Sequence, residues 1–175
     1  MSQLVHLAWQ RVKAAYSTVP PALDPTAWLY IGTFAALAVP IGMFTGVLNF
    51  KVEKRPSKWL EVLFVVFLSR GLLEELVFRV MALPHPAVDG PTPPAEFAVK
   101  AAISTFVFVA GHLLIPGERQ QKTFRDPGFL AMCGIFGAMC SAVYYLTGSL
   151  LVIWLVHGVP VAVWLLLLGG VDKVQ

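Results

Sequence analysis

An all-α membrane protein is the fold class that this sequence predicts, and three observations predict it. Of 175 residues, 57% are hydrophobic and only 13% are charged, with a mean hydropathy of +0.72. Ordinary soluble domains are about 25% charged. The apolar residues gather into about five stretches of roughly twenty, the length that crosses a hydrocarbon core. The basic residues fall mainly in the loops between those stretches, a pattern of membrane topology rather than of nucleic-acid binding.

Residues 1–26 read as an N-terminal amphipathic segment. Leu4, Leu7, Ala8, Val12 and Ala15 recur at helical spacing, with Gln10, Arg11 and Lys13 between them. The apolar run is too interrupted for a signal peptide and suits a helix at the membrane surface. Pro20, Pro21 and Pro25 end it. The membrane domain follows over 27–175, with a motif-bearing core at 59–171. Its expected spans are Ala27–Phe50, Trp59–Leu83, Ala95–Ile115, Gly128–Leu146 and Leu150–Gly170. Pro40 is an expected kink, and Thr147-Gly148-Ser149 makes the last two spans a tight hairpin. The segment 84–94, PHPAVDGPTPP, cannot be helical throughout. His6 and His85 lie outside the spans and are expected to be solvated.

Lys51, Lys54, Arg55 and Lys58 fill the first loop, Arg119, Lys122 and Arg125 the third, and Lys173 the tail. With five spans these share one side, which the positive-inside rule makes cytoplasmic, together with the C-terminus. A multi-pass prokaryotic cell-membrane protein is the expectation. Cys133 and Cys140 sit seven apart on one apolar helix and read as small core residues.

The second span carries Glu61, Arg70, Glu74, Glu75 and Arg79. Charges at membrane depth are costly and are usually functional. Arg70 precedes Glu74 by four residues, and Glu75 precedes Arg79 by four, so each carboxylate is expected to have its own guanidinium partner. The third span contributes His112, with Phe108 and Ser104 on the same face. The fifth contributes His157. At ~1.5 Å per residue, Glu74 lies roughly 18 Å from one face, with His112 about 16 Å and His157 about 10 Å from the other. All three can meet in a core of ~30 Å. A carboxylate and two imidazoles in a dry pocket can activate water, move its proton and support a developing oxyanion. The structural alternative is a buried ion-pair network that locks helices together.

These residues carry a resemblance. Glu74-Glu75-Leu76-Val77-Phe78-Arg79 reads EExxxR, Phe108 to His112 reads FxxxH, and His157 opens an HxxxN/D-like segment. In order, spacing and setting they resemble the CAAX protease and bacteriocin-processing family of intramembrane endopeptidases, which includes the type II CAAX prenyl endopeptidases. The resemblance implies that Glu74 is the base, that His112 holds the water, and that His157 serves the oxyanion. It implies that Glu75 and Arg79 brace the site, with Phe108 in support. It implies no metal; a zinc site built from two histidines and a glutamate is the variant to weigh. The family's Asn or Asp four residues after the last histidine is Val161 here.

The resemblance therefore implies an intramembrane endopeptidase acting on a membrane-associated peptide or protein in the lipid bilayer, with no nucleic-acid partner. Arg70 is expected to keep Glu74 ionised. Val161 supports an alternative, a weak or inactive relative that binds a peptide or helix as an immunity or regulatory protein. An ion-coupled transporter is a third class. Short spans without an internal repeat count against it.

Overall fold

The computed structural model describes residues 3–20 and 22–174. Pro21 and the Arg119 side chain, both cited above, lie outside the described part. Helix α1 covers Gln3–Ser17 and α2 Pro25–Phe44. Helix α3 runs over residues 56–81, and α4 is the single turn Pro86–Asp89. Then come α5 (Pro94–His112), α6 (Glu118–Phe124), α7 (Pro127–Thr147), α8 (Leu150–Leu167) and α9 (Val171–Val174). The protein is all-α: no β-strand is found among the described residues. Helices α2, α5, α7 and α8 are long and apolar enough to cross a membrane. Helix α3 is longer but carries the charged residues.

Proline opens most of these helices. It occupies the first turn of α2, α3, α4, α5 and α7, where its missing N–H is no loss. Side-chain caps reinforce four starts: Asp24 accepts from the Thr26 N–H, His85 from Ala87, Asp126 from Phe129 and Ser149 from Val152. Pro40 and Pro160 both sit inside helices that continue past them.

The first span is shorter than expected. It ends at Phe44 rather than Phe50, because Thr45 and Gly46 turn the chain, with Gly46 at φ 72°. The following residues run against the end of α8, where the Asn49 N–H donates to Leu168 O at 3.0 Å and that of Glu53 to Leu166 O at 2.7 Å. These bonds use carbonyls that a helix end leaves unpaired.

Helix α3 changes its winding along its length. Pro56–Glu61 and Leu72–Glu75 are α-helical, whereas Val62–Gly71 and Leu76–Met81 form wider π-type turns. Such turns are rare and concentrate at functional sites.

Helix α7 is the central post, packed against α2, α5 and α8. Cys133, Phe136, Met139, Cys140, Val143 and Tyr144 are buried along it. Both cysteines are free thiols. Helix α8 also lies closely along α3: a Cβ at Gly158 would come within 2.4 Å of the Phe67 ring. Trp154 Nε1 donates to Phe67 O at 2.7 Å across the same seam.

Helix α1 is docked rather than only adsorbed. It packs on the last turns of α3 and on α4 and α8, with Ala15 fully buried. Arg11 forks onto Asp89 (2.9 and 2.6 Å) and donates to Met81 O at 3.0 Å. Burial alone would raise the Asp89 pKa. Hydrogen bonds from Arg11 and the His85 N–H outweigh it and hold the carboxyl below its ordinary value.

His85 corrects an expectation, since it is buried at 1% exposure rather than solvated. Its Nδ1 accepts from the Ala87 N–H at 3.1 Å, and its Nε2–H donates to Gly148 O at 2.9 Å. Gly148 takes the left-handed conformation (φ 59°) that closes the α7–α8 hairpin and presents this carbonyl.

Candidate active site

The two adjacent glutamates of α3 diverge. Glu75 points into the bundle and is fully buried, while the Glu74 side chain is 35% exposed and lines a cavity of about 520 Å³. Consecutive helical residues point about 100° apart, so one helix serves both a core and a cavity.

Glu75 is the hub of the buried part. Its Oε1 accepts from Arg79 Nη1 at 3.0 Å and from His157 Nδ1 at 2.5 Å. Arg79, also fully buried, donates through Nη2 to Gly137 O at 3.2 Å, and its guanidinium lies 4.9 Å from the centre of the Phe108 ring. A Cβ at Gly137 would stand 3.1 Å from that Nη2 and 2.8 Å from Thr105, so α7 needs glycine to let the guanidinium pass. Ser104 binds Phe78 O and holds α5 against α3 at this level. Buried charges of this kind are tolerated only when paired and hydrogen-bonded.

His157 joins the buried pair to the cavity. With Nδ1 on Glu75, its Nε2 faces Glu74 Oε2 at 3.5 Å. The ring packs against Phe136 at 4.8 Å and is only 4% exposed. A base whose second nitrogen is fixed by a carboxylate has a defined orientation, the logic of catalytic triads.

His112 lies across the cavity, at the end of α5. Its Nδ1–H donates to Phe108 O at 3.0 Å, and a carbonyl can only accept, so the other nitrogen is the acceptor. Phe108, Phe124 and Phe129 surround the ring at 4.8, 5.5 and 5.7 Å. Glu74, His112 and His157 thus share one cavity, walled largely by apolar groups including Phe34, Phe129, Phe136 and Trp164. Phe108 also lines it, in contact with both the Arg79 guanidinium and the His112 ring.

One expectation changes. Glu75 and Arg79 form the predicted pair, but Arg70 makes no ion pair with Glu74. Arg70 lies in the last turn of a π-type segment that ends at Gly71, and Glu74 follows in an α turn, so the simple four-residue register does not carry across. Arg70 instead lines the cavity. The zinc variant weighed above finds a different donor set. The ligand atoms that converge within 4.8 Å are those of Glu75, Cys140 and His157, not those of two histidines and Glu74. Glu75 Oε1 is already shared by Arg79 and His157, and a fixed guanidinium beside it opposes a second cation. Cys140 was not legible as a neighbour of the site; only the packing of α7 against α3 and α8 brings it there.

Val161 also lines the cavity, one turn beyond His157. The nearby indoles do not replace the missing polar group: Trp164 Nε1 is committed to Val47 O at 3.1 Å, and Trp154 Nε1 to Phe67 O.

Fold and site together define a multi-pass helical membrane protein with a cluster of carboxylates and imidazoles at a partly open cavity. The type II CAAX prenyl endopeptidase Rce1-like family matches residues 56–163, more than half of the chain, and the chain belongs to that family. The matched region contains every residue of the constellation. No curated protein and no solved structure matches the chain.

Proposed function

We propose that this protein is an intramembrane endopeptidase of glutamic type, hydrolysing a membrane-associated peptide such as a prenylated C-terminus. The observation that carries the reading is the split between the two glutamates. One is spent in a buried brace, while the other faces a cavity shared with two histidines.

Glu74 takes a proton from water, and the hydroxide attacks the scissile carbonyl. His112, with its acceptor nitrogen, holds the water. His157, with Nδ1–H committed to Glu75, takes that proton from Glu74 on Nε2 and then donates it as a hydrogen bond to the oxyanion of the tetrahedral intermediate. As the C–N bond breaks, the same proton passes to the leaving amine. Glu75 and Arg79 keep the imidazole oriented and contribute no proton. Apolar walls strengthen each charge interaction by excluding water. No metal enters this scheme.

The setting is a prokaryotic cell membrane crossed by α2, α3, α5, α7 and α8. The loop ahead of α3, α6 and α9 form the cytoplasmic end. Lys51 pairs with Asp172 there, and Gln120 and Thr123 donate to Val174 O and Lys173 O.

Val161 favours a second reading, a binding protein with little turnover, because losing one oxyanion donor costs about 100- to 1,000-fold in rate. A Glu74→Gln exchange separates the two. For an endopeptidase, a membrane protein accumulates uncleaved while abundance and folding of the variant stay normal. Retained biological activity would instead support binding.

A further inference from the structure

We infer that α6 is a lid at one edge of the cavity, latched to α9, and that its Phe124 couples closing of the lid to the seating of the His112 ring. A lid serves the cavity whether the protein cleaves its ligand or only binds it, so the inference goes beyond the peptidase reading.

Gln120 and Phe124 of α6 line the cavity, together with Ile115 and Pro116 in the link from α5 and Val174 in α9. Yet no described residue from Leu113 to Pro127 is buried, and α6 packs chiefly on α9. A segment with so little buried surface opens at lower cost than the core.

The two sides of this contact are held differently. Helix α9 is the fixed side: Val171 is buried in a cluster with Val62, Leu165 and Leu166, and Asp172 pairs with Lys51. Helix α6 reaches it through two side-chain donors. Gln120 Nε2 donates to Val174 O at 2.7 Å, and Thr123 Oγ1 to Lys173 O at 2.8 Å. Gly117 precedes α6 with φ 107°, a conformation open to glycine and strained for other residues, and no side-chain cap fixes the helix start there. At the other end Asp126 is anchored, since its carboxylate caps α7 through the Phe129 N–H at 3.0 Å. Gly117 is thus the hinge, one of the few positions that absorb the backbone rotation of a moving lid.

The inner face of α6 carries Phe124. Its ring lies 5.5 Å from that of His112 and 5.1 Å from that of Phe129, and it packs on the cluster that contains Val47, Phe108 and Cys133. The His112 Nδ1–H bond to Phe108 O stays within α5, so it does not depend on the lid. Lifting α6 therefore opens the cavity to water and removes one wall of the imidazole in the same movement. Closing it restores the wall and excludes water.

The two native cysteines test this without turnover. Cys133 lines the cavity, whereas Cys140, two turns along α7, is fully buried. The full chain in detergent micelles is treated with trimethylammonioethyl methanethiosulfonate, and modification of each cysteine is followed by mass spectrometry. Removing the latch with Gln120→Leu and Thr123→Val together should speed labelling of Cys133 by about 10-fold or more, the combined scale of two neutral hydrogen bonds. Cys140 should react no faster. In the same variant the His112 Cε1–H NMR signal, assigned by its loss in His112→Gln, should move toward its position in Phe124→Ala.

Equal labelling of Cys133 with and without the latch would overturn the lid. So would faster labelling of both cysteines, which reports loosening of the whole bundle. An unmoved His112 signal beside faster labelling of Cys133 would overturn the coupling through Phe124. If the cysteines diverge as expected while wild type cleaves no peptide, the lid stands and the peptidase reading falls; cleavage with equal labelling does the reverse.

Discussion

His85 and His157 are buried almost equally, at 1% and 4% exposure, yet their surroundings differ in kind. His85 stands at the end of the bundle where α1, α4 and the α7–α8 hairpin meet. Both its ring nitrogens meet backbone groups, the Ala87 N–H and Gly148 O. That imidazole is a fixed strut, because moving its proton would cost a hydrogen bond on either side. Around His157 both nitrogens meet carboxylates, Glu75 at 2.5 Å and Glu74 at 3.5 Å, and one of these carboxylates opens onto a cavity. There a proton can move and still find a partner. Burial alone does not distinguish a working histidine from a structural one; the chemistry of its two partners does.

That comparison can be broken at several points. The largest effect belongs to Glu74→Gln. Hydrolysis should fall by about 10³-fold or more, the scale of an acid–base group, while thermal stability stays within error. Loss of stability together with activity would make Glu74 a second strut. Arg79→Met comes next. It leaves Glu75 buried without its cation, and such broken pairs cost about 3–5 kcal/mol, which a lowered unfolding midpoint in detergent would register. A midpoint equal to wild type would deny that the brace holds the site.

Val161→Asn sharpens the working end in the opposite direction. If the oxyanion lacks a donor there, turnover should rise by up to about 100-fold, and an unchanged rate would mean that His157 suffices. His85→Ala should be the mildest, costing about 1–3 kcal/mol of stability from unpaired backbone groups. Catalytic rate per folded molecule should hold. A changed pH–rate profile in that variant would remove the distinction between the two histidines.

Much of this was legible along the chain. Glu75 and Arg79 pair as their spacing predicts, and the three polar clusters lie on separate helices, all in the region that the family matches. What was not legible depends on backbone detail or on distant partners. Arg70 escaped because a π-type turn alters the register that an ideal helix would impose. His85 escaped because its proline-rich segment reads as an exposed loop, while the carbonyl that buries it lies 63 residues away. Cys140 gave no signal, since a thiol on an apolar helix looks the same whether it faces lipid or a glutamate. The early end of α2 at Phe44 follows from Gly46, whose turn an apolar stretch running on to Phe50 conceals.

Trp164 has a practical consequence. Its indole forms part of the cavity wall, while its N–H is tied to Val47 O, so the ring stays in place as the cavity fills. Its emission colour should then follow polarity rather than rotation. Four other tryptophans would blur the signal in the native chain. A version retaining Trp164 alone would turn the recess into an optical gauge of occupancy, readable with an unlabelled ligand and without turnover.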